Sequence, residues 1–349
     1  FFEVLKFILV RYKSFPFWAI LSIVGRVASI ILSLLPAIYY SDMINIISQS
    51  QAVRDPIAQH AIGILIVVFA IKFFNNSLVY RIYEYSLIKL EMSMQQTLYD
   101  ELFLHLHKHS YQYFIDHFSG KLVAQIRKMI WALERFTDLL IGNILSFFLN
   151  VFLVVIIVAH ESWMLGLGMF IFVVCFSCVQ YWVARWLQSY PEKANKLDSD
   201  LGGVLSDTIG NALTVKTFAA LQREAQNFAQ LNAEATKART KQYLAFNLMG
   251  IVLLVMLVFL EIATLWYAVI LWWAGGLELG MIVLVQTYTL RIIDQVMSMG
   301  FVFRSFSRIV AEIGEGLEII QTPREIKDVE NAPSLRINEA KISFQNVDF

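Results

Sequence analysis

The sequence predicts an all-α membrane protein in which six transmembrane helices continue as long helical extensions into the cytoplasm. Three observations carry that reading. The composition is too apolar for a soluble protein: of 349 residues 58% are hydrophobic and 16% charged, with a mean hydropathy of +0.59, whereas soluble domains carry about 25% charged residues. Apolar runs recur at the roughly 20-residue length that a bilayer core of about 30 Å requires. The connections between the runs alternate between short and long, and basic residues concentrate in the long ones. The same composition excludes disorder, since so apolar a chain has no reason to stay solvated. The net charge is zero, from 28 Lys plus Arg and 28 Asp plus Glu, so no basic footprint for a nucleic acid exists. Two cysteines, Cys175 and Cys178, make no disulfide framework.

Taken in order, residues 1–16 form an amphipathic stretch with Lys6, Arg11 and Lys13, expected to lie in the membrane interface as an elbow helix. Residues 17–321 hold the six spans, at about 17–47, 57–79, 136–159, 163–184, 244–273 and 281–303. The 163–184 run has no charge at all. Spans one and two, three and four, and five and six are joined by short loops of the kind that connect helix pairs. The segments 80–135 and 185–243 are much longer and lack proline except Pro191, while Leu87, Leu90, Met94, Leu98 and Leu102 recur at helical spacing. They are expected to be helical hairpins reaching roughly 35 Å into water, at about 1.5 Å per residue. Arg54 is the sole basic residue of the short loops, against twenty-four in the amino-terminal stretch, the two hairpins and the tail. The positive-inside rule then places both termini and both hairpins in the cytoplasm of an inner-membrane protein. Residues 322–336 read as a polar linker with two prolines. Residues 337–349 alternate like a strand, and because a strand needs partners, a soluble domain is expected to begin there.

At this point the sequence resembles the transmembrane half of ABC exporters of the type I architecture. The resemblance rests on the span pattern and on four segments in order: YFIDHFSGKLVAQI after the first tip, LGGVLSDTIGNALTVKTFAALQREAQNF in the second hairpin, WWAGGLELGMIVLVQTY at the turn into the sixth helix, and ISFQNVDF, similar to the first strand of a nucleotide-binding domain. Ile115 stands where a second aromatic is common. The resemblance implies two coupling segments that dock on the nucleotide-binding domain, with Tyr111, Tyr113, Phe114, Asp116 and Phe118 in the first and Ser206, Asp207, Thr208 and Asn211 in the second. It further implies a dimer with a second copy or a related half-transporter, a lipid bilayer as surroundings, no nucleic acid, and ATP with Mg2+ bound outside this chain's residues. The sequence contains no G-x-x-x-x-G-K-[ST], no convincing nucleophile and no general base, so ATP hydrolysis is expected in the attached domain and not here.

Charges within membrane spans are costly and face protein or water. Glu261, Arg291 and Asp294 are expected at similar depth, Asp294 one turn from Arg291, and are candidates for a charged cluster lining the substrate cavity, with Gln286, Tyr288 and Gln295 beside them. A structural pair locking two helices is the competing reading. Arg26 is expected to snorkel toward the surface, and Cys175 and Cys178 to be packing residues. His105 and His109 stand one turn apart in HLHKH, with His107 and His117 nearby, but no cysteine accompanies them, and no metal site is assigned. The expected function is the transmembrane domain of an ATP-driven exporter of hydrophobic or amphipathic cargo. An ion-coupled secondary transporter using Glu261, Arg291 and Asp294 as a relay and a receptor whose hairpins signal to a soluble domain are the alternatives.

Overall fold

The computed structural model describes residues 2–49, 54–117, 119–323 and 342–345. They form twelve helices with no strand: α1 (Phe2–Ser14), α2 (Pro16–Gln49), α3 (Arg54–Phe74), α4 (Tyr80–Leu106), α5 (Tyr111–Asp116), α6 (Ser119–Thr137), α7 (Leu145–Glu161), α8 (Trp163–Trp186), α9 (Ser189–Gly210), α10 (Ala212–Thr217), α11 (Leu221–Trp273) and α12 (Leu279–Gln321). Most of the expected linker and strand lies outside the described residues; Ile342 to Gln345 form no strand. Five helical segments among the described residues are long and apolar enough to cross a membrane: Pro16–Ser48, Ile57–Leu106, Ser119–Glu161, Trp163–Trp186 and Leu221–Trp273. The sixth expected span, α12, is 43 residues long but falls outside that set, because Gln286, Arg291, Asp294 and Gln295 interrupt its apolar run.

Two details depart from uniform helix. The junctions α3 to α4 and α6 to α7 are π-helical, at Asn75–Val79 and Asp138–Ile144. A widened turn loosens the regular carbonyl ladder, and such turns cluster at functional positions. Arg26 of α2 serves the second of them: its Nη2 donates to the Gly142 carbonyl at 3.0 Å, its Nε donates to Ser146 Oγ at 2.7 Å, and its guanidinium lies 5.1 Å from the Tyr83 ring. Arg26 therefore points into protein and does not snorkel. The fourth span breaks at Leu187 and Gln188, between α8 and α9. Pro191 lacks the N–H that would have bonded to Leu187, and the chain re-forms its bonding through Tyr190 N to Leu187 O at 3.1 Å.

The chain divides into two compact units. One comprises 1–15, 91–135 and 308–349. Its core is a set of helical stripes: Val4 and Ile8 of α1; Met94, Leu98 and Leu102 of α4; Leu122, Met129, Ile130 and Leu133 of α6; Ile309, Ile313 and Leu317 of α12. Arg11 pairs with Glu101, Lys128 with Glu315, and Arg135 and Arg308 both with Glu312. The other unit comprises 16–90 and 136–307, in which α2 packs on α3 and α7, α7 on α8, and α11 on α8 and α9. At one end of this unit α12 begins against α2. Asn45 Oδ1 accepts from Gly280 N at 2.6 Å, satisfying one of the free N–H groups of the first turn, and a Cβ at position 280 would run into the Ser41 carbonyl.

Candidate functional site

Within the larger unit, α2, α3 and α12 line a partly open cavity of about 460 Å3. Ser33, Pro36, Ala37 and Tyr40 come from α2, Lys72 from α3, and Thr287, Tyr288, Leu290, Arg291, Asp294 and Gln295 from α12. The α12 residues fall at spacings of three, four and seven, which is one helical face. Arg291, Asp294 and Gln295, three of the residues that interrupt the apolar run of α12, therefore share the cavity face.

Arg291 is held by three acceptors. Nε donates to Asn150 Oδ1 of α7 at 2.7 Å and Nη1 to the Ser33 carbonyl at 2.9 Å, while Nη2 donates to Ser33 Oγ. Its charge is thus anchored by neutral groups on two other helices, and among the described residues no carboxylate neutralises it by contact. Lys72 Nζ donates to Tyr40 OH at 3.4 Å and lies 5.4 Å from the Tyr40 ring centroid; among the described residues it makes no ion pair. Two cations and the carboxylate of Asp294 leave the lining with a net positive charge. Tyr288 is fully buried, and its hydroxyl donates to the Leu34 carbonyl at 3.0 Å, so it fixes α12 against α2 while its ring forms part of the wall.

The expected cluster of three charges is not brought together. Glu261, on α11, does not line this cavity; its Oε1 accepts from Gln286 Nε2 at 2.7 Å. Gln286 and Arg291 are five residues apart on α12, about 140° around the helix at 3.6 residues per turn, so they serve different neighbours. Thr264 and Thr289, with hydroxyls 3.3 Å apart, extend the Glu261 contact as a polar seam between α11 and α12. Glu261 and Gln286 thus fit the structural-pair reading, whereas Arg291, Asp294, Gln295 and Tyr288 meet at the cavity. Lys72 and Tyr40 were missed as cavity residues, although Lys72 is the single charge of its apolar run and that anomaly was the available signal. A second cleft, apolar and about 410 Å3 in volume, runs between α8 and α11 past Met169, Phe172, Leu260 and Tyr267. Cys175 lines it, and both cysteines are free and exposed, not packed inside as expected.

The first proposed coupling segment is α5. Ser110 caps it, its Oγ accepting from Tyr113 N at 3.3 Å, as N-cap serines do. Tyr113 is 3% exposed and stacks between His109 and His117, with ring centroids at 4.1 Å and 4.3 Å. Tyr111, Phe114 and Ile115 point outward. Tyr113 therefore anchors the segment while Tyr111 and Phe114 stay exposed; Phe118 and the Asp116 side chain lie outside the described residues. In the second hairpin Ser206, Asp207 and Thr208 belong to the last turns of α9, which Asn211 ends through its N to the Asp207 carbonyl at 2.9 Å and its Nδ2 to the same oxygen at 3.0 Å. The tip itself is the next helix, α10, flanked by Ala219 with φ of 51° and exposing Leu213 at 80% and Phe218 at 77%.

Comparison with known proteins gives this geometry a family. The chain is 26% identical over 257 residues, covering 72% of its length and 42% of the other's, to the ATM1-type heavy metal exporter of Novosphingobium aromaticivorans. It is 22% identical over 304 residues, 82% of its length and 44% of the other's, to ABC transporter B family member 6 of Dictyostelium discoideum. The chain thus spans less than half the length of these curated relatives. Its fold matches the structure of a bacterial Atm1-family ABC exporter with ATP bound, at a TM-score of 0.69 and 21% identity over 91% of this chain and 56% of that one. The profile of the ABC transporter transmembrane region matches residues 19–296, about four-fifths of the sequence, and the chain belongs to that family of multi-pass membrane transport proteins.

Proposed function

We propose that this chain is the substrate-translocating half of an ATP-driven exporter, working as a dimer with a second copy or a related half, with both termini and both hairpins on the cytoplasmic side of an inner membrane. α12 is its sixth transmembrane helix. ATP and Mg2+ act in an attached nucleotide-binding domain, whose closure and opening reach the cavity through α5 and α10. The observation that carries this reading is the cavity of α2, α3 and α12: a polar, net-positive recess whose lining includes α12, the helix that also reaches furthest toward the carboxyl end of the chain.

The lining also supports a cargo class. Pro36, Ala37, Leu290 and the rings of Tyr40 and Tyr288 offer apolar surface, and Lys72 offers a cation that no carboxylate among the described residues holds. An amphipathic cargo with an acidic group fits both. The heavy-metal description of the Novosphingobium relative enters the same class when the metal arrives as an anionic complex, because no cysteine or histidine lines the cavity to bind a bare soft ion.

The test uses purified protein in proteoliposomes, comparing wild type with Lys72→Gln and Lys72→Arg. Acidic amphiphiles are expected to stimulate ATP hydrolysis and to be transported by wild type and Lys72→Arg, and to lose both effects in Lys72→Gln with basal hydrolysis retained. Unchanged stimulation and transport in Lys72→Gln would remove the cavity from the substrate path.

A further inference from the structure

We propose that His105, His109 and the carbonyl oxygen of Ile319 form a binding site for a divalent transition metal of the Zn2+ class, independent of the transport reading above. Three observations within the smaller unit converge on it.

The first concerns the end of α12. Thr322 N closes the last regular bond, to the Glu318 carbonyl at 3.0 Å. The next carbonyl, that of Ile319, would take its helical donor from residue 323, which is Pro323 and has no N–H. Sequence alone thus leaves the Ile319 oxygen without its backbone donor, and it lies 3.1 Å from His105 Nε2.

The second is the approach of the two imidazoles. His105 Nε2 and His109 Nε2 are 3.3 Å apart, with ring planes at 77°. A neutral imidazole carries one N–H and one lone pair. A proton on His105 Nε2 must be shared between the Ile319 carbonyl and His109; a proton on His109 Nε2 leaves His105 Nε2 with its lone pair facing the carbonyl. His105 Nε2 thus stands beside two further electron-rich atoms, the Ile319 oxygen and His109 Nε2. The nitrogen–nitrogen spacing suits a shared cation: with Zn–N bonds of about 2.0–2.1 Å and tetrahedral angles, two ligand nitrogens stand about 3.3 Å apart.

The third is preorganisation. His109 is 8% exposed, and its ring lies 4.1 Å from that of Tyr113 at an interplanar angle of 18°, which fixes its orientation before any ion arrives, the role outer partners play in metal sites. No third His, Cys, Asp or Glu side chain among the described residues joins the pair. Water completes the coordination, and the ion is exchangeable where a closed structural zinc is not. Imidazole selects zinc, copper or nickel over magnesium or calcium. Bound there, the ion ties the last turn of α12 to the histidine that supports α5.

The experiment is equilibrium dialysis of the purified, metal-stripped protein against micromolar Zn2+, with His105→Gln, His109→Gln and a His107→Gln, His117→Gln control, followed by Cu2+ electron paramagnetic resonance on the wild type. His107 and His117 bond through Nδ1 to the carbonyls of Phe103 and Tyr113 and are not ligands in this site. Wild type and control are expected to hold the same amount of Zn2+, each single variant to lose about one ion per chain relative to them, and the wild-type copper spectrum to show two coordinated nitrogens. Because the copper signal is read on wild-type protein, misfolding of a variant does not mask the answer. Equal Zn2+ content in wild type, His105→Gln and His109→Gln, or a copper spectrum without paired nitrogens, would overturn the proposal.

Discussion

The two hairpins look alike in sequence and differ in what their own chain does for them. The first is packed. Met94 and Leu98 of α4 and Met129 and Ile130 of α6 are wholly buried, Glu312 receives two arginines, and even the tip is anchored, by Tyr113 between two histidine rings. The second is bare. Ala194 is the one buried residue of α9 and α10 has none, while Ile209, Leu213, Phe218 and Leu221 are more than 60% exposed. Its best ionic contact is the surface pair Arg239 and Asp198, in which the nearby carboxylate raises the arginine's pKa. A helix pair of this length, with α11 at 53 residues and about 80 Å, gains most of its stability from packing an apolar face. A tip that leaves its apolar residues in water is shaped for cover by another polypeptide, in keeping with the dimer and nucleotide-binding domain proposed above. The lesson is that equal length and charge content hide opposite modes of support.

Substitutions sharpen that contrast. The largest effect is expected from Gly316→Leu, since a Cβ there already meets Met129; detergent-solubilised protein should lose its cooperative thermal transition or elute aggregated. Leu98→Ala, which empties a fully buried site, should cost about 2–5 kcal/mol, seen as a clear fall in melting temperature. Glu312→Gln should cost about 1–2 kcal/mol through two weakened charge-assisted bonds, less than a fully buried pair because Arg135 and Arg308 are partly exposed. The matching truncation in the second hairpin, Leu213→Ala, should move the melting temperature by less than the error of the scan, within about 0.5 kcal/mol, while lowering substrate-stimulated ATP hydrolysis. A Leu213→Ala protein that melts as early as Leu98→Ala would erase the distinction between the hairpins.

Much of this architecture could be read from sequence because period and length carry it. The uncharged run at 163–184 became α8, and the three-residue connection at His160 to Ser162 closed to the single non-helical Ser162. The break near Pro191 was also local in origin. What escaped depended on neighbours distant in the chain. Arg26 reads as a snorkelling residue until α7 and its π turn stand beside it. Glu261 and Arg291 are expected at similar depth, but Arg291 turns to Ser33 and Asn150, more than a hundred residues away in the chain, while Glu261 meets Gln286 of the neighbouring helix, so depth alone could not say that they part company. Lys72 joined the cavity because α2 brings Tyr40 to it. In the second hairpin the resemblance points to Ser206 to Asn211, whereas the short helix α10 begins just beyond it, at Ala212.

The proposed role of α10 is to pass motion between the helices of this chain and an attached nucleotide-binding domain. A Cys175→Ser, Cys178→Ser background carrying Leu213→Cys, labelled with a maleimide in the purified protein with and without ATP and Mg2+, tests it most directly. Labelling at position 213 is expected to be slow in both states relative to a cysteine placed at exposed Gln230, with a change in rate when nucleotide is added. Labelling at position 213 as fast as at Gln230, and indifferent to nucleotide, would contradict it.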